Sequence, residues 1–278
     1  MKFSIASYSF HRALESGKQD MFGYITDCKE FGCSQLDPWN GHLVPLIQET
    51  EQIRAGADPL VTTFSPAGLE YVACVKAAAD AAGLPIGSLA LDGAHIYEPT
   101  PEARALNRAS AYRWLDVAHR LNVNSIRIDS GGTADLPDDM FAIIVEGLKD
   151  IVQRARALGI RTTIENHWGA SNVPVNLIRM LHAVEGLDLL FDSHNFAPGL
   201  QEQGWQLCVP YATDVHIKTF RFDEHGNEPD VDIPRVVAML VDAGYKGCWG
   251  IESVPRDGDE YGAIRKTIAL IERSIAAA

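Results

Sequence analysis

The sequence predicts an α/β protein, a single closed (β/α)8 TIM barrel over residues 1–278, and three observations predict it. Short apolar, β-branched runs alternate with helical patterns from one end of the chain to the other, and strict alternation implies a parallel sheet. Eight such units fit into 278 residues, since a barrel of this type takes about 250. The turn after the first run, His-Arg-Ala-Leu-Glu-Ser-Gly, has no G-x-G-x-x-G, so a doubly wound nucleotide-binding sheet would lack its phosphate loop.

Phe3 to Phe10 alternates and reads as the first strand, leading into His11 and Arg12. Asp20 to Phe31 has helical spacing through Met21, Ile25 and Cys28 and stops at Gly32. Ser34 to Trp39 is a short second strand ending in Asp37, Pro38 and Trp39. Residues 40–62 are long for a strand-to-helix connection; they hold a short helix around Val44 to Arg54 and form a candidate lid over the barrel mouth. Ser65 and Pro66 open a helix to Ala82, as N-cap and first helical residue, and Gly83 closes it. Ile86 to Leu91 is the third strand, followed by Asp92-Gly93-Ala94-His95. The helix Pro101 to Leu121, the strand Ser125 to Asp129, the helix Pro137 to Leu158 and the strand Ile160 to Glu165 continue the pattern. Strands Leu187 to Phe191, Thr213 to Thr219 and Gly247 to Ile251 complete it. Their helices run over Val175 to Val184, Glu202 to Val209, Ile233 to Ala243 and Asp259 to Ala276.

Composition narrows the class. Hydrophobic residues make up 46% and charged residues 22%, enough for a sizeable core. The net charge of −13 repels a phosphate backbone and argues against nucleic acid as a partner. Five scattered cysteines without a C-x-x-C pair point to reduced thiols rather than a disulfide framework. No segment has the length of a signal peptide's apolar run or of a bilayer span, so the expected location is the cytoplasm, away from membranes.

In such a barrel the reactive groups stand at the C-terminal ends of the strands. The fifth strand stays apolar and β-branched to Ile164, then turns polar and offers Glu165 and His167. The sixth offers Asp192 and His194, the seventh His216 and Lys218, the eighth Glu252. Residues two apart on a strand share a face. Glu165, Asp192, His216 and Glu252 thus converge from four successive strands. Three ionised carboxylates raise one another's pKa, and a divalent cation relieves the repulsion. Carboxylates with one imidazole are a mostly hard donor set that suits Mn²⁺ or Mg²⁺ and accepts Co²⁺, Fe²⁺ or Zn²⁺. On the same repulsion argument, Glu252→Gln should lose metal while the thermal transition stays put or rises. Lys218 has two open readings, stabilising negative charge on a reacting oxygen or pairing with an acidic neighbour. Arg127 and Asp129 share a face on the fourth strand, where an ion pair and a substrate contact are both open readings. His95, Trp39 and His11 lie on mouth loops, where the Trp39 ring has two open readings, stacking on a bound ligand or covering the barrel rim. His42, His119, His182 and His225 read as surface or helix residues.

The strand ends Ile-Glu-Asn-His, Phe-Asp-Ser-His-Asn, Val-His-Ile-Lys and Gly-Ile-Glu-Ser resemble those of the sugar phosphate isomerase/epimerase family with its xylose isomerase-like barrel. The resemblance runs from Phe3 through the last helix. It implies one metal ion held by Glu165, Asp192, His216 and Glu252, and proton exchange with the substrate carbon by Glu165 and Glu252. Where family members often carry a substrate-binding His three residues after the aspartate, this chain has Asn195, with His194 one position earlier. Arg221 loosely matches an arginine that epimerases place after the strand-seven His.

The family spans ketose 3-epimerases, aldose–ketose isomerases, inosose and dehydroshikimate dehydratases and an endonuclease branch. The expectation is therefore a divalent-metal-dependent isomerase or epimerase of a small carbohydrate (a sugar, keto-sugar or related polyol), alone or as a homo-oligomer. A lyase acting on a keto-sugar or inosose is the alternative. The candidate substrate contacts are His167, His194, Lys218, Arg127, His95, Trp39 and Arg221. The endonuclease branch needs extra histidine ligands and a basic groove, against a net charge of −13. A sugar-binding barrel without turnover is a weaker reading than an enzyme, because the whole ligand set is present.

Overall fold

The computed structural model describes residues 1–278. Its strands are β1 (Phe3–Ile5), β2 (Ser88–Leu91), β3 (Ser125–Ile128), β4 (Arg161–Glu165), β5 (Leu187–Asp192), β6 (Ala212–Thr219) and β7 (Trp249–Ser253). They form one parallel sheet in the order β1-β7-β6-β5-β4-β3-β2. The helices are α1 (His11–Glu15), α2 (Met21–Phe31), α3 (Val44–Ala55), α4 (Pro66–Ala82), α5 (Pro101–Leu121), α6 (Asp138–Ala157), α7 (Pro174–Ala183), α8 (Gln201–Cys208), α9 (Ile233–Asp242) and α10 (Glu260–Ala277). No helix is long and apolar enough to cross a membrane.

The expected second strand, Ser34 to Trp39, is not regular. It closes the gap between β1 and β2 through single parallel bridges, Ala6 with Asp37, Leu36 with Ile86 and Trp39 with Ala90. Pro38 has no N–H to give to a ladder. The Asp37 N–H donates to the Tyr24 hydroxyl at 2.9 Å instead of a strand. The Asp37 carboxylate stitches the seam: Oδ1 accepts from the Ser88 N–H of β2 and Oδ2 from the Ser4 hydroxyl of β1. The expected first strand also stops early, at Ile5, and Ser7–Phe10 forms a 3-10 turn. Its serines replace the lost ladder, since Ser9 Oγ bonds the Ile251 carbonyl and the Ser253 N–H of β7.

The predicted caps form as read. Ser65 Oγ accepts from the Gly68 N–H at 3.1 Å, and Pro66 occupies the first turn of α4. Residues 40–62 contain α3 and bind the barrel through Arg54 to the Gly93 carbonyl and Asn40 to the Asp92 backbone. Leu43 and Leu46 of this stretch are fully buried. Side chains alternate along a strand, so the buried Ile164, beside Glu165, faces the helices while Glu165 faces inward.

Candidate active site

Register brings the strand ends level. A bulge between Leu189 and Leu190 places Asp192 beside His216, and one strand further Lys218 lies beside Glu252. His216 is also paired with Gly250, where an added Cβ would meet the imidazole Cδ2 at 2.8 Å and the Val215 carbonyl at 2.4 Å. Glycine there leaves the ring its place. The ligand atoms of Glu165, Asp192, His216 and Glu252 all lie within 4.8 Å of one another, and all four residues are buried. They stand at a cavity of about 350 Å³ lined by Glu165, His216 and Glu252 among others. That is at the small end of the roughly 300–1,000 Å³ typical of small-molecule pockets.

Each acid is held from behind. The Asn166 side chain donates to the Asp192 carbonyl and accepts from the Asp192 N–H, both at 2.8 Å. Asp192 Oδ1 accepts from the N–H groups of His194 and Asn195 at 2.7 and 3.0 Å. Glu165 accepts from Asn195 Nδ2 at 3.2 Å and faces Arg127 Nε at 3.1 Å. Glu252 lies 2.7 Å from Lys218 Nζ and 3.0 Å from His216 Nδ1. The His216 contact is close enough for charge attraction but out of line for a hydrogen bond, so His216 Nδ1 remains without a donor or acceptor partner, as does Asp192 Oδ2. Two buried, unpartnered ligand atoms in a carboxylate-rich cluster fit a divalent cation.

The electrostatics follow from these contacts. Burial pushes the Asp192 carboxyl up to about 7, against the pull of Lys218 and with help from the charges of Glu252 and Glu165. Burial disfavours a charged His216, but its contact with Glu252 and the charges of Glu165 and Asp192 outweigh it and lift the imidazole to about 9. Burial likewise opposes the Glu252 charge, yet Lys218 and His216 hold this carboxyl well below the usual range.

The other expected contacts divide. Trp39, Arg127, His167 and Lys218 line the cavity. The Trp39 indole N–H donates to Asp92 at 2.7 Å, and His167 Nδ1 lies 3.3 Å from Asp129. Burial works against a charged His167, but Glu165 and Asp129 outweigh it and raise its pKa. Three candidates do not line the cavity. His194 packs edge-on against Phe220, His95 bonds Glu98 at 2.6 Å, and Arg221 is forked onto Asp230. The Asn195 side chain does line it. The Arg127–Asp129 pair is real, at 2.7 Å, and Arg127 also reaches Asp92 and Glu165.

Asp37, Asp92, Tyr8 and Phe220 line the cavity and were not expected there. The two acids did carry a signal, since each stands at the end of a barrel strand in the sequence, but neither belongs to the four successive strands, fifth to eighth, whose ends converge. His42 is fully buried, not a surface residue, with Nε2 3.1 Å from Gln19 Oε1.

A family model described as xylose isomerase-like TIM barrel matches residues 28–274. The C-glycoside deglycosidase alpha subunit of Arthrobacter globiformis is 41% identical over 59 residues, a stretch that spans 21% of this chain and only 16% of that protein. The 3-keto-D-glucoside 4-epimerase from E. coli superposes with a TM-score of 0.67 at 18% identity, over 92% of this chain and 95% of that one. The probable 3-DHS dehydratase from Bacillus anthracis superposes with a TM-score of 0.68 at 15% identity, over 98% and 99%. At these identities the likeness to the two structures is one of fold.

Proposed function

The chain belongs to the xylose isomerase-like TIM barrel family, and from that premise we propose a divalent-metal-dependent isomerase or epimerase of a sugar, keto-sugar or related polyol. One observation carries the reading: Glu165 and Glu252 approach His216 Nδ1 from two different strands, at 3.9 and 3.0 Å, and both line the cavity. When bound by Glu165, Asp192, His216 and Glu252, a cation such as Mn²⁺ supplies Lewis-acid polarisation of a carbonyl and a neighbouring hydroxyl. One glutamate removes the proton next to the carbonyl and the other returns one. Lys218, beside Glu252, stabilises the negative charge that builds on the oxygen. Trp39, Arg127 and His167 position the sugar.

A lyase is the second reading, favoured by His167. This imidazole lines the cavity and is oriented through Nδ1 by Asp129, which leaves Nε2 to protonate a β leaving group. Turnover of 3-keto-sugars in D₂O tests both readings. The isomerase reading expects solvent deuterium at the reacting carbon and no enone. Full retention of the substrate hydrogen without an isotope effect there would sink it, and an enone chromophore would establish the lyase.

A further inference from the structure

Two groups of potential ligands meet in one residue. Glu165, Asp192, His216 and Glu252 form the first and Asp129, Glu165 and His167 the second, each with ligand atoms within 4.8 Å of one another. Glu165 divides its oxygens between them. Oε1 lies 3.9 Å from His216 Nδ1, while Oε2 lies 3.1 Å from Arg127 Nε. A carboxylate so placed resembles the bridge of a two-metal site, whose ions stand about 3.5–4 Å apart.

The second group, however, already contains a cation. Arg127 is buried, with Nη1 2.7 Å from Asp129 Oδ2 and 3.0 Å from Asp92 Oδ1. A guanidinium keeps its charge in any protein environment. A metal ion entering beside it would meet a like charge at short range in a poorly screened site. We infer that Arg127 stands in the place of a second metal: it keeps the centre mononuclear and turns Oε1 of Glu165 toward the first group. The inference rests on the metal centre proposed above.

A merely structural role for Arg127 would cost stability on substitution and leave metal content alone. The experiment is Mn²⁺ stoichiometry by elemental analysis, with electron paramagnetic resonance to detect exchange-coupled pairs. Wild type and Arg127→Lys should hold one uncoupled ion per chain. Arg127→Met should hold two coupled ions, and the double variant Arg127→Met, Asp129→Asn should return to one. Arg127→Gln carries the same expectation should the methionine variant not fold. One ion in both uncharged variants, or two in the wild type, overturns the inference while leaving the metal centre standing. A wild type with no bound Mn²⁺ overturns the metal centre itself.

Discussion

Glu252 touches two cations, Lys218 at 2.7 Å and His216 at 3.0 Å, and this reverses an expectation drawn from charge counting. Three carboxylates by themselves would gain from losing one, so Glu252→Gln ought to leave the thermal transition unmoved or higher. The contacts show that the metal-free site is already offset by Lys218, His216 and Arg127. Glu252→Gln instead strands a buried Lys218, whose remaining carboxylate neighbour Asp192 is 4.0 Å away. Breaking a buried pair from one side costs about 3–5 kcal/mol. The metal-free variant should therefore unfold at clearly lower denaturant than the metal-free wild type, and an unchanged midpoint would refute the pairing. Lone residues were legible here because Glu165 and Asp192 end their strands, and His216 and Glu252 stand in the C-terminal part of theirs. For Lys218 only an acidic neighbour of some kind was legible, because which carboxylate it meets depends on the register between β6 and β7.

At the scale of elements, the sequence separates what periodicity controls from what side chains control. The long helices α4, α5 and α10 open on side-chain caps from Ser65, Thr100 and Asp259, and α4 and α5 begin at the expected residues or one away. Residues 3–10 and 34–39 alternate as strands do, yet there Ser9, Asp37 and Tyr24 supply tertiary hydrogen bonds that break the ladders. Just past that seam His42 is sealed in, and burial pulls its pKa down to about 4. The unfolded chain binds a proton near 6.5, the folded chain only near 4, so the neutral ring favours folding above 6.5 and the advantage is lost as pH falls toward 4. At about 1.4 kcal/mol per pH unit, the loss reaches roughly 3 kcal/mol. Chemical unfolding at pH 7, 5.5 and 4 should show a shallower acid decline in His42→Gln than in the wild type. Parallel declines would show that another group titrates.

Across the whole molecule, the net charge of −13 continues into the cavity. Asp37, Asp92, Glu165 and Glu252 line it against Arg127, Lys218 and the imidazoles of His167 and His216, which face Asp129 and Glu252. Neither Arg127 nor Lys218 has charge in excess of its carboxylates to hold a permanent dianion, although Lys218 Nζ keeps donors for an oxygen on which charge builds in passing: Arg127 faces Asp92, Asp129 and Glu165, and Lys218 faces Glu252 and Asp192. A divalent ion bound among Glu165, Asp192 and Glu252 would be outnumbered by their charges. A phosphorylated sugar would thus enter an acidic cleft and find its cations taken, whereas an uncharged sugar loses nothing by the field and can use Trp39, Tyr8 and Phe220 as apolar faces. The expected outcome is a kcat/KM for unphosphorylated keto-sugars at least about a hundredfold above that for their phosphate esters, about 2.7 kcal/mol at the 1.36 kcal/mol per decade of rate. The gap should narrow as salt is raised, because screening at 1 M acts over about 3 Å. Equal turnover of both classes, or a preference for the ester, would mean that a cation is released from its carboxylates when substrate arrives, and Arg127→Gln and Lys218→Gln would then show which one.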